Sequence, residues 1–163
     1  VATVPERSPP TVIDYEGAFR FDAPAERVWA AISHPEWFES WWGWLGELRV
    51  DGDGLVDGAV LHGLVRPPVP YTMRVEVHLE HCVPGRAIDA TVHGDLRGIA
   101  SLALDGDDDT TTAEVAWRIE MMQRPMRLAA RVAHPLLRWG HDRVVEMTVA
   151  GFRRHLQQSA GNA

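Results

Sequence analysis

Apolar and polar residues alternate through the middle of the chain. Tyr71, Met73, Val75, Val77 and Leu79 interleave with Thr72, Arg74, Glu76, His78 and Glu80, and Ala113, Val115, Trp117, Ile119 and Met121 with Thr112, Glu114, Arg118 and Glu120. A period of two places each apolar set on one face of a strand and leaves the other face wet. Similar runs predict strands over 45–50, 59–65, 71–81, 86–93, 96–104 and 111–121. Gly and Pro turn signals separate them, among them Asp51-Gly-Asp-Gly, Pro84-Gly85 and Asp105-Gly-Asp-Asp-Asp. An earlier strand begins near Val12, where Ile13, Tyr15, Phe19 and Phe21 alternate with polar residues and Gly17 marks a candidate bulge. Short connections require antiparallel neighbours, because parallel strands need a long crossover. The expectation is a seven-stranded curved antiparallel sheet with one apolar face.

Helical spacing takes over in two places. After the first strand, Pro24 suits the start of a helix over 25–33 with Val28, Trp29 and Ile32 as its stripe, Pro35 ends it, and a second short helix covers 36–42. From Pro125 to Leu156 a long helix is predicted, interrupted at Pro135. Leu137, Val144, Val145, Val149, Phe152 and Leu156 fall at three- and four-residue spacings. A sheet wet on one face must cover the other, and this is the one long element left to do so. The fold class is therefore α+β, one domain over 12–157, with flexible segments over 1–11 and 158–163.

Composition narrows the class. The 163 residues, 45% hydrophobic, are enough for one substantial core, and the single Cys82 can form no internal disulfide. No apolar run is long enough to span a membrane and no basic-plus-apolar leader opens the chain, so the expected setting is cytoplasmic. The formal charge of −7 is uneven: residues 1–117 carry −12 and 118–163 carry +5, every basic residue being arginine. Arg124, Arg127, Arg131, Arg138, Arg143, Arg153 and Arg154 are scattered along the predicted helix without aromatic interleaving. That pattern reads as a solvated face, and no nucleic-acid partner is expected.

The order of elements and several local motifs resemble the START / Bet v 1-like superfamily, in particular its polyketide cyclase/dehydrase-like branch. The resemblance runs from Ile13 to Leu156. It rests on Phe21-Asp-Ala-Pro-Ala-Glu-Arg-Val-Trp29, His34-Pro-Glu-Trp-Phe38 with Trp41-Trp42, Pro70-Tyr71, Gly94-Asp-Leu-Arg-Gly98 and Trp139-Gly-His-Asp-Arg-Val144. It departs at Gly140, where relatives often carry Asn, so no role for that amide carries over. It implies a helix-grip fold, the sheet wrapped on the C-terminal helix around an apolar cavity. The superfamily includes lipid carriers, aromatases and cyclases, and co-chaperones, so activity must be argued from the site.

Candidate chemistry is sparse. His141 shares the helix stripe expected to face the cavity, where an imidazole could orient a ligand hydroxyl, move a proton, or simply satisfy itself against a neighbour. Tyr71 offers an apolar ring with a polar tip on the inward face. These two are the candidate catalytic residues. Trp37, Phe38, Trp41 and Trp42, with Trp44, concentrate aromatic surface near the expected cavity entrance, while Met73 and Trp117 are placed as cavity walls. Val144, Val145 and Thr148 complete the ligand-binding set on the helix. The other histidines lack the spacing of a zinc site: His78 and His81, three apart on a strand, should point to opposite faces. No metal and no cofactor are expected.

The leading expectation is a binder or carrier of a small hydrophobic molecule, such as a lipid, polyketide or aromatic metabolite. Self-association into a homodimer is left open. The alternatives are an aromatase/cyclase or dehydratase using His141 or Tyr71, and an interaction module resembling the Hsp90 activators.

Overall fold

A computed structural model describes residues 11–67 and 71–161. The expected flexible lead-in, Thr11 apart, and Pro70 of the Pro70-Tyr71 motif lie outside the described residues. Thr11 itself is buried, and its carbonyl accepts the Met121 backbone N–H at 2.9 Å.

The seven strands are β1 (Val12–Phe21), β2 (Leu45–Asp51), β3 (Val60–Val65), β4 (Met73–Val83), β5 (Ala87–Gly94), β6 (Leu96–Gly106) and β7 (Thr111–Met121). They form one sheet in the order β1-β7-β6-β5-β4-β3-β2. Every neighbouring pair is antiparallel. Between β1 and β2 lie α1 (Ala25–Ile32), a short 3₁₀ turn (Pro35–Trp37) and α2 (Phe38–Trp41). Pro24 is the N-cap of α1, in extended conformation, one position before the expected first turn.

Register explains two departures from the alternation. Gly17 is not a bulge, because β1 and β7 pair without a shift from Val12 to Phe21. It is small for another reason: the Tyr15 ring folds over it, leaving no room for a Cβ. The bulges lie between Gly46 and Arg49 in β2 and between Leu79 and His81 in β4. One extra residue reverses strand parity, so His78 and His81 share the outer face instead of pointing to opposite faces. Glu47, inside the first bulge, has a φ of 52°.

The C-terminal segment is two helices, α3 (Arg124–Val132) and α4 (His134–Gly161). The break falls at Ala133, and Pro135 sits in the first turn of α4. There its missing N–H costs nothing, so the ring starts a helix rather than kinking one. No stop signal intervenes before Gly161, so four residues of the expected flexible tail, 158–161, are helical.

Three apolar clusters hold the layers together. Phe21, Val28, Leu104, Ala113, Phe152 and Leu156 join one end of the sheet to α1 and the C-terminal half of α4. At the other end, Met73, Val75, Val92, Met121, Met126 and Ala130 join the sheet to α3, with Leu137 of α4 packed against them. A third set, including Phe38, Leu61 and Leu79, places α2 on β3 and β4. At Gly151 α4 meets the Trp41 carbonyl so closely that a Cβ would collide with it.

Candidate functional site

The concave face carries apolar residues that are only half-buried. Pairing aligns Gly17, Val115, Leu102, Ile88 and Cys82 in one row across β1, β7, β6, β5 and β4. None of the five is fully buried, whereas Ala113 and Leu104 in the next row toward α1 are. The row on the other side begins with Tyr15, Trp117 and Ala100, also only half-buried. These apolar side chains point inward from the sheet yet are only half-buried.

Helix α4 lies over this face with His141, Val144, Val145 and Thr148 on its inner side. Val144 is buried and the other three half-buried. Two tryptophans reach the helix from opposite sides of the site. The Trp117 indole N–H donates to His141 Nε2 at 3.1 Å. The Trp44 indole N–H donates to Thr148 Oγ1 at 2.9 Å, and that hydroxyl donates to the Val144 carbonyl at 2.8 Å. His141 and Thr148 are two helical turns apart, about 10 Å along the axis.

The His141 imidazole has both nitrogens engaged. An indole N–H is a donor only, so Nε2 must offer its lone pair, and the ring proton sits on Nδ1. That proton faces Asp142 Oδ1 at 3.2 Å. Tyr15 stacks on Trp117 with ring centroids 4.5 Å apart and meets the His141 ring edge-on at 5.1 Å. Burial, and secondarily the Asp142 charge, hold the Tyr15 hydroxyl above the usual phenol range.

The expected site residues divide. Trp117 meets His141, and Val144, Val145 and Thr148 follow His141 along the same side of α4. Tyr71 does not join them: β4 starts two residues later, and Tyr71 packs beside Met73 in the cluster at the α3 end. Met73 is buried there as core. The tyrosine beside His141 is Tyr15, which alternation placed on the inner face but which had no partner within reach along the chain.

The aromatic concentration also splits. Phe38 is buried core. Trp41 packs on Phe152 at 4.9 Å, stacks on Trp42 at 5.5 Å, and Trp42 meets Trp44 edge-on at 5.0 Å. Trp44, which sequence reasoning left outside the ligand-binding set, therefore links this cluster to Thr148. The buried indole N–H groups of Trp41 and Trp42 have no hydrogen-bond partner among the described residues. Trp37 is 43% exposed and stacks on His34 at 4.1 Å.

Two hollows lie outside the grip. One of about 430 Å³ is lined by Ser33, His34, Pro35, Glu36, Leu48 and Val50, among others. Another of about 200 Å³ includes Arg27, Trp37, His155 and Ser159. Among the described residues no three His, Cys, Asp or Glu side chains gather as a metal site, and no helix is long and apolar enough to cross a membrane.

A seven-stranded antiparallel sheet gripping a long C-terminal helix is the helix-grip fold of the START / Bet v 1-like superfamily. The family described as "Polyketide cyclase / dehydrase and lipid transport" matches residues 12–158, and the chain belongs to it. Among solved structures, TTHA0849 from Thermus thermophilus is similar with a TM-score of 0.73 at 13% identity, covering 90% of this chain and 99% of that one. The ZhuI aromatase/cyclase from a Streptomyces species aligns with a TM-score of 0.72 at 13% identity, covering 91% and 96%. A START superfamily protein from Mycobacterium smegmatis gives 0.69 at 14% identity, covering 89% and 97%. At such identities the likeness is one of fold. The comparison with curated proteins gave no match.

Proposed function

We propose that the chain, as one unit over residues 12–157, binds a small hydrophobic molecule between the concave sheet face and α4. The observation that carries this reading is the apolar row of Val115, Leu102 and Ile88 on the concave face, which is only half-buried although it points toward the covering helices. Covering that row with a ligand removes apolar surface from water, a gain of about 25 cal/mol per Å².

Carriage is favoured over cyclase or dehydratase chemistry by the state of His141. A general base needs a free lone pair within reach of the proton it takes. Here the Nε2 lone pair is already taken by Trp117, and Nδ1 points to Asp142. His141 reads as a tie between β7 and α4 and as part of the chamber wall.

Native mass spectrometry of the purified chain before and after organic extraction tests the proposal. A small apolar molecule retained before extraction and lost after it, which restores the thermal midpoint when added back, is the expected result. A chain that retains nothing and gains no stability from a broad panel of lipids and flat aromatics contradicts it.

A further inference from the structure

The outer surface of α3 and the start of α4 carries large apolar side chains that nothing among the described residues covers. Leu128 is 65% exposed, Val132 81%, Leu136 58% and Trp139 58%. Their direction follows from helix geometry. Met126 and Ala130 of α3 and Leu137 of α4 all pack on one cluster at the end of the sheet. Residues two apart on a helix differ by roughly 200°, so Leu128, Val132 and Trp139 point away from that cluster. Leu136, three before Trp139, flanks it. Both helices therefore turn exposed apolar residues away from the cluster they share.

The charge around this patch is of one sign. Between Glu120 and Asp142 there is no acidic residue, while Arg124, Arg127, Arg131 and Arg138 all fall there, in a chain whose formal charge is −7. Arg124, Arg131 and Arg138 are exposed. Elsewhere Arg49, Arg66, Arg118 and Arg143 pair with carboxylates. None of the four arginines of the patch has an ion-pair partner among the described residues. Trp139 beside Arg138 corrects the expectation of a plain solvated face, since an aromatic ring is interleaved with the basic residues.

Exposed Leu, Val and Trp among unpaired arginines match an amphipathic segment that lies in a membrane interface, its apolar side chains in the acyl boundary and its cations among the headgroups. We propose that α3 and the first turns of α4 dock on an anionic lipid surface. A second copy of this chain is the less suited occupant, because the same arginines would face each other across a symmetric contact. The proposal is independent of what occupies the concave face.

Sedimentation of the whole chain with lipid vesicles tests it. Vesicles of phosphatidylcholine with about a third phosphatidylglycerol should bind the chain at least ~10-fold better than phosphatidylcholine alone, and salt should erase the difference. Combined substitution of Leu128→Ser, Val132→Ser and Trp139→Ser should reduce binding at least ~10-fold with the thermal midpoint unchanged, since these side chains are already in water. Should that variant not fold, Arg124→Gln with Arg131→Gln and Arg138→Gln carries the test, with the same loss expected. Absence of binding to the anionic vesicles at low salt would overturn the proposal. So would equal binding by the folded variants, or a dimer that the serine substitutions dissolve in a chain that binds no vesicles.

Discussion

Trp117 and His141, on β7 and α4, are joined by one hydrogen bond in which the indole N–H meets Nε2 at 3.1 Å. The bond spans the two layers of the grip and determines which imidazole nitrogen carries the proton. Nitrogen-15 shifts of His141 should therefore report a neutral ring protonated at Nδ1. Trp117→Phe removes the donor and leaves a half-buried acceptor, so stability should fall by about 1 kcal/mol, roughly 2–4 °C in midpoint. In a double-mutant cycle, Trp117→Phe and His141→Ala should show a coupling of about 0.5–1.5 kcal/mol. Additive effects would mean that the pair is not joined in solution.

Tyr15 supplies a pH dependence of stability. Burial and the Asp142 charge raise its hydroxyl pKa in the folded state, so the folded chain holds this proton after the unfolded chain has lost it. The contribution is fully present below the unfolded phenol value of about 10 and is lost as pH rises from there through the folded value. Denaturant titrations from neutral to alkaline pH should show stability falling more steeply in the wild type than in Tyr15→Phe. Identical alkaline slopes would contradict the raised pKa.

Gly151 should respond opposite to helix propensity. Gly to Ala within an exposed helix gains up to about 1 kcal/mol. At Gly151 the added Cβ runs into the Trp41 backbone carbonyl of α2, which cannot rotate away. Gly151→Ala should destabilise the fold by about 1–3 kcal/mol by forcing α2 and α4 apart. Gly43→Ala, where nothing lies within 4 Å of the added atom, is the control and should be close to neutral. Thermal unfolding of the two variants decides.

Much of the scaffold can be read along the chain, because local periodicity carries it. The alternations at 71–79 and 113–121 identify the concave face, and the spacing from Val144 to Leu156 identifies the helix that covers it. What escapes such reading is set by register and long-range pairing. One extra residue near Glu80 puts His78 and His81 on the same face, and composition gives no sign of it. Tyr15 reaches Trp117 across a pairing that joins the first strand of the chain to the last. Trp44 and Thr148 meet through a tertiary contact of separation 104. Trp37 and Tyr71 have the residue types expected of a binding wall, but one stacks on His34 at the exterior and the other packs at the α3 end.

The central claim is that the concave face holds a hydrophobic ligand, and filling that space tests it most directly. Val115 and Leu102 pair across β7 and β6 in the half-buried row. Val115→Phe with Leu102→Phe should occupy the volume a ligand needs. Titration of the wild type with a flat aromatic probe, followed by tryptophan fluorescence, should give saturable one-to-one binding and a raised midpoint. The filled variant, still folded by circular dichroism, should bind at least ~10-fold more weakly, about 1.4 kcal/mol. Undiminished binding by the folded variant, or no saturable binding by the wild type, would contradict the account.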